Sequence, residues 1–227
     1  MKIAYIVVHG FGGNPKDVYG IRDGLLKYEI NEKNIYLPLI YGHNMKKRGF
    51  TFGTTYIEMI EHLKNDVENI SLNYDKIVLI GYSMGALLTM CVSIKIKIDK
   101  LILINPPIKI WDFKSFRFWL KDDIKKRRLF HTKTVLKSMR YKTIRNNLEL
   151  RKLRLFTMDN ISKITTDTYV VQSIHDYVAK PTSGKYVYDN ISSQNKGISY
   201  YSTTSHFIPS EKDVEIVVSD LQNWLKN

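Results

Sequence analysis

Short, uninterrupted apolar runs alternate along this chain with stretches whose apolar residues recur every three or four positions. Ile3 to Val8 is β-branched and continuous, and it ends in His9-Gly10-Phe11-Gly12-Gly13, so it reads as a buried strand entering a glycine-rich turn. Asn14 and Pro15 then supply an N-cap and a first-position proline for a helix carrying Val18, Ile21, Leu25 and Leu26. A weaker strand is predicted at Ile35 to Leu37, followed by a polar loop through Gly42, His43 and Gly49. Thr55 and Glu58 form a capping box, and Ile57, Ile60, Leu63, Val67 and Ile70 mark the apolar face of the next helix. The central strand, Lys76 to Ile80, runs directly into Gly81-Tyr82-Ser83-Met84-Gly85 and a helix-forming stretch from Ala86 to Val92.

Beyond the strand Leu101 to Ile104, which stops at Asn105-Pro106-Pro107, the pattern changes. Trp111 to Phe156 is basic, aromatic and helical, with no strand-like run. The alternation resumes with a strand at Thr168 to Ser173, a helix near Ser183 to Ile191, a strand at Ile198 to Tyr201 and a last helix from about Glu211 to Leu225. Continuous apolar strands separated by amphipathic helices predict an α/β fold whose mainly parallel sheet is flanked by helices on both faces. The division expected is one core domain, residues 1–107 and 161–227, interrupted by a basic helical cap insert at 108–160.

Composition narrows the picture only a little. A 227-residue chain with 44% hydrophobic and 25% charged residues is that of an ordinary globular domain. Cys91 is the single cysteine, which excludes an intrachain disulfide or a cysteine-based metal cluster and is expected to sit in the core. No run reaches the length of a membrane span and the N-terminus lacks a targeting pattern, so a cytoplasmic location is expected. The net charge of +13 is concentrated: Trp111 to Phe156 holds 15 Lys and Arg against 4 Asp and Glu. That segment therefore raises peripheral contact with an anionic membrane, against the plainer reading of a lid with lysines facing water. No nucleic-acid recognition module accompanies the charge, and none is expected.

The chemistry-bearing residues fall at predicted strand ends. In Gly81-x-Ser83-x-Gly85 the serine lies on a sharp strand-to-helix turn that lifts its hydroxyl above the sheet, with a helix N-terminus beside it favouring negative charge. A serine hydroxyl needs a base, and of six histidines His206 is favoured because it lies between the last strand and the last helix. His9 reads as structural, His62 as a surface-helix residue and His131 as part of the insert, while His43 stays open because its loop could border the pocket. Asp176 directly follows a strand and is the carboxylate expected to orient His206, whereas Asp167 precedes that strand and Asp189 falls in a helix. The backbone N–H groups of Met84 and Phe11 are the expected oxyanion donors. The glycine turn has neither the Lys-Ser/Thr ending of a phosphate loop nor the Gly-x-Gly-x-x-Gly of a dinucleotide site.

Taken together, the His9-Gly-Phe-Gly turn, Gly81-Tyr-Ser-Met-Gly85, Asp176 within His-Asp-Tyr-Val and Ser205-His206 resemble the carboxylesterase and monoacylglycerol-lipase branch of the α/β-hydrolases. The order Ser, Asp, His is that branch's order. The resemblance implies cleavage of a small-molecule carboxylic ester, of short to medium acyl length and with monoacylglycerol among the candidates, through an acyl-enzyme and without metal or cofactor. It also implies that the insert caps the acyl pocket, with Trp111, Phe116 and Trp119 as substrate-facing candidates. The insert is more basic than a lid over purely apolar chains requires. A thioesterase, amidase or carbon–carbon hydrolase using the same three residues, and a non-catalytic binding protein on the same fold, are the alternatives that sequence leaves open. Oligomeric state is not legible.

Overall fold

The computed structural model describes residues 1–46, 53–110, 144–176 and 178–202, together with His206, Ser219 and Trp224. Its strands are β1 (Ile3–Val8), β2 (Ile35–Tyr36), β3 (Lys76–Tyr82), β4 (Lys100–Ile104), β5 (Asp167–Ser173) and β6 (Lys196–Tyr201). They form one sheet in the order β2-β1-β3-β4-β5-β6, and every neighbouring pair is parallel. The helices are α1 (Tyr19–Lys27), α2 (Tyr56–Ser71), α3 (Met84–Lys95), α4 (Ile144–Asn160) and α5 (Thr182–Asn190). The predicted α/β architecture is thus present, with β3 and β4 central and the sheet's C-terminal rim gathering residues from distant parts of the chain.

Side-chain alternation along the strands explains how both faces are covered. Ile6, Val8, Leu79, Leu101, Leu103 and Val170 point into one core with residues of α2, α3, α4 and α5. Their neighbours Tyr5, Val7, Val78, Ile80, Ile102, Ile104 and Val171 point into the other, closed by Val18, Ile21 and Leu25 of the α1 region and by Trp224. Helix α3 is buried continuously from Met84 to Val92, as expected of a helix apolar all round that has a sheet beneath it and helices above.

Local signals account for most of the boundaries. Asn14 caps a 3₁₀ turn, Pro15–Val18, that leads into α1, and Thr55 and Glu58 close the capping box of α2. One predicted core position is corrected. Ile57 is 56% exposed, and Met59 joins Ile60, Leu63 and Val67 inside instead. At the helical angle of about 100° per residue, Ile57 lies roughly 100° from the centre of that stripe.

The segment expected to be a cap divides in two. Residues 111–143 lie outside the described residues, and so do the candidate substrate contacts Trp111, Phe116 and Trp119. Residues 144–160 form α4, which packs on α2 and α3. Leu153 is fully buried in the shared core, the Thr157 hydroxyl meets the Cys91 thiol at 3.3 Å, and Glu149 accepts the first N–H of α2 at Tyr56. Burial pushes the Cys91 thiol up to about 11, which makes it a packing residue with no thiolate character near neutrality.

Candidate active site

Strand β3 ends in a turn whose glycines are required by close approach. A Cβ on Gly81 would lie 2.3 Å from Thr89 Oγ1 and 2.5 Å from the Ala86 Cα, and one on Gly85 would lie 2.3 Å from the Val8 carbonyl oxygen. Only glycine lets α3 start so near both its own strand and the end of β1. Ser83 between them adopts φ 54° and ψ −121°, a conformation a non-glycine residue holds only when its surroundings enforce it. The enforcement is visible in the Ser83 N–H, which donates to the Ile104 carbonyl at 2.9 Å and so extends the β3–β4 pairing into the turn.

The structure brings the three side chains singled out in the sequence into one chain of hydrogen bonds. His206 Nε2 lies 2.7 Å from Ser83 Oγ, and its Nδ1 lies 2.7 Å from Asp176 Oδ2. These pairs span 123 and 30 residues of sequence, and all three side chains are buried. The other oxygen of Asp176 accepts the N–H groups of Val178 and Ala179 at 2.7 and 2.9 Å, which locks the carboxylate plane and leaves Oδ2 for the imidazole. A carboxylate only accepts, so Nδ1 carries the proton and Nε2 is the lone pair that faces the serine hydroxyl. Asp167 stands at the far end of β5 and accepts from the Asn195 amide, while Asp189 pairs with Lys185 on the exposed side of α5.

The glycine turn after β1 lies against the same point. A Cβ on Gly10 would be 3.2 Å from the Ser83 Cβ, so a side chain there would crowd the serine and the turn passes close beside it. Phe11 sits in this turn, and Met84 opens α3, where first-turn N–H groups have no intrahelical acceptor. Two buried histidines hold the turn. His9 Nε2 accepts the Ile40 N–H at 3.1 Å and its Nδ1 donates to the Gly10 carbonyl at 2.9 Å. His43 Nε2 accepts the Gly12 N–H at 3.1 Å, and the two rings meet edge to face at 5.1 Å. Accepting at Nε2 requires each ring to be neutral. Burial lowers His9 to about 4, and burial together with repulsion from His9 lowers His43 to about 3.

Sequence reasoning missed part of what surrounds the site. The role of His43 was open, and its partner Gly12 is 31 residues away. In sequence Tyr82 is only a variable motif position and Asn105 a strand stop, yet both side chains donate to the His206 carbonyl at 3.0 Å. Among the described residues there is no group of three or more His, Cys, Asp or Glu that could hold a metal ion, and no helix is long and apolar enough to cross a membrane.

Comparison with known proteins speaks to the family and the fold. The Hydrolase_4 family, described as serine aminopeptidase, S33, matches residues 42–213, most of the chain. The chain belongs to the Hydrolase_4 family. Its resemblance to the carboxylesterase and monoacylglycerol-lipase branch of the α/β-hydrolases is borne out as well. A carboxylesterase of Bacillus subtilis (strain 168) is 22% identical to this Hydrolase_4 member over 237 residues, covering 98% of this chain and 92% of that protein. Among solved structures, a soluble variant of monoglyceride lipase from Saccharomyces cerevisiae superposes with a TM-score of 0.72 at 16% identity, covering 99% of this chain and 87% of that one. The monoacylglycerol lipase of Paleococcus ferrophilus gives 0.67 at 15% identity, covering 99% and 98%. At such identities the structural likeness speaks for the fold, and this Hydrolase_4 chain carries that fold from β1 to β6.

Proposed function

We propose that this protein is a serine hydrolase that cleaves carboxylic esters of short to medium acyl chain, monoacylglycerols among the candidates, through an acyl-enzyme. The observation that carries the reading is the unbroken contact of Ser83 to His206 to Asp176, at 2.7 Å in both steps. His206 Nε2 takes the proton of Ser83 as its oxygen attacks the ester carbonyl, and a tetrahedral intermediate forms. The N–H groups of Met84 and Phe11 receive the resulting oxyanion, each such donor being worth about 10²–10³ in turnover. His206 then returns the proton to the departing alcohol, leaving Ser83 acylated. Water enters, loses its proton to the same nitrogen and releases the acid, restoring the serine. Asp176 keeps the imidazole in the productive tautomer and stabilises its positive charge throughout.

The same machinery serves amides and thioesters, and the family description of serine aminopeptidase makes the amide the competing reading. An ester leaving group needs less help than an amine, and relatives named as carboxylesterase and monoglyceride lipase favour the ester. A fluorophosphonate probe is expected to label Ser83 and to fail on Ser83→Ala. Against p-nitrophenyl acyl esters, acyl-CoA thioesters and aminoacyl anilides, kcat/KM should be highest for the esters. Faster anilide cleavage would transfer the assignment to amides, and absence of labelling would remove the nucleophile.

A further inference from the structure

The proposed general base is held by its own backbone. His206 follows β6, which among the described residues lies at the end of the sheet and pairs with β5 alone. Two side chains from other strand ends converge on the His206 carbonyl: the Tyr82 hydroxyl from β3 and the Asn105 amide from the end of β4, each at 3.0 Å. Asn105 is fully buried and has φ 48°, a left-handed backbone that Asn tolerates better than other side chains. Its Nδ2 also donates to the Tyr201 hydroxyl at 2.6 Å, and its Oδ1 accepts the Ser173 N–H at 2.7 Å. A carbonyl can only accept and an N–H can only donate, so these partners allow a single orientation of the amide. One side chain thus ties the ends of β4, β5 and β6 to the carbonyl of the base.

We propose that Asn105, assisted by Tyr82, is a positioning residue that sets the height of His206 above Ser83 by gripping the carbonyl of the base. The inference rests on the reading of His206 as general base. Asp176 fixes the ring from one side, and the amide fixes the main chain from which the ring hangs. Without that grip the imidazole is free to drift from the hydroxyl, and displacement of about 1 Å in a reacting geometry costs on the order of 10²-fold.

Asn105→Gly tests this, because glycine accepts the left-handed backbone without strain and removes only the side chain. Its kcat on p-nitrophenyl butyrate is expected to fall by about 10- to 100-fold with KM nearly unchanged. Fluorophosphonate labelling should slow in step, and the far-downfield proton resonance of the His206–Asp176 hydrogen bond should broaden. Tyr82→Phe, which loses one hydroxyl and little packing, is expected to lower kcat about fivefold, the worth of one hydrogen bond. Leu153→Ala, destabilised through the core under α4, should keep kcat below its melting transition, which separates positioning from lost stability. Wild-type kcat and an unchanged resonance in Asn105→Gly would overturn the proposal. If that variant fails to fold, wild-type kcat in Tyr82→Phe would overturn it equally. Full turnover in His206→Ala would instead remove the underlying reading of the base, a result neither Asn105 nor Tyr82 variants can mimic.

Discussion

Three buried histidines of this protein differ in almost everything except their burial. His206 faces a carboxylate on one nitrogen and a hydroxyl on the other, partners that welcome a proton moving through the ring. His9 and His43, under the glycine turn, accept backbone N–H groups at Nε2 and face each other edge to face. A proton on either Nε2 would set a donor against a donor at a buried position. Under the proposed mechanism the same side chain is a proton carrier where its lone pair meets an exchangeable hydroxyl, and a neutral strut where it accepts a backbone amide.

The largest expected effect breaks this contrast most directly. Ser83→Ala and His206→Ala should each lose about 10⁴-fold or more in kcat, by analogy with measured deletions in serine enzymes. His43→Gln retains a neutral acceptor for Gly12 and should keep turnover within about tenfold, well short of losing a whole oxyanion donor at 10²–10³. Steady-state rates on one p-nitrophenyl ester suffice to compare the three. Equal losses in His43→Gln and His206→Ala would mean that the two histidine environments do not differ in the way their partners indicate.

That contrast is half legible in the sequence. The central strands declared themselves by continuous β-branched runs, and the Ser83 turn by glycines placed where a Cβ would strike backbone. Asp176 and His206 stand out in the sequence because each follows a strand, so a parallel sheet must deliver both to one rim. The supports of the site were not legible. Asn105-Pro-Pro looked like a strand stop because the contacts of Asn105 to Ser173, Tyr201 and His206 exist only across the folded sheet. Helix α4 falls within the segment expected to be a cap, and its packing on α2 and α3 is equally hidden in sequence. Its buried positions Asn146, Glu149, Leu153 and Thr157 recur at helical spacing, yet only one of them is apolar, so the hydrophobic pattern gave no sign of a core-facing stripe.

Acid should expose the struts. An ordinary histidine titrates near 6.5, while in the folded protein His9 is lowered to about 4 and His43 to about 3. Below about 6.5 the unfolded chain therefore binds protons that the folded chain refuses, and stability present above that pH is lost as pH falls towards the folded values. Each histidine contributes a slope of at most about 1.4 kcal/mol per pH unit in that window. Urea unfolding between pH 8 and 4.5 should show it, and His43→Gln should flatten the slope by about one proton's share. A variant curve parallel to the wild type would mean that His43 is not held neutral by the turn.

The smallest effect is expected next to the carboxylate that faces His206. His175 precedes Asp176 in the chain, but its side chain is exposed, and its recorded hydrogen bond runs from its main-chain N–H to Ser173 Oγ at 3.3 Å. Replacement by alanine keeps that donor and removes only a solvated ring, so stability should move by no more than about 0.5 kcal/mol and kcat should hold. Denaturant midpoints and ester turnover measured on His175→Ala would check both. A large loss of kcat would place a second histidine in the chemistry beside His206 and would mean that sequence adjacency to Asp176, which burial and bonding discount, carries a role through the exposed ring.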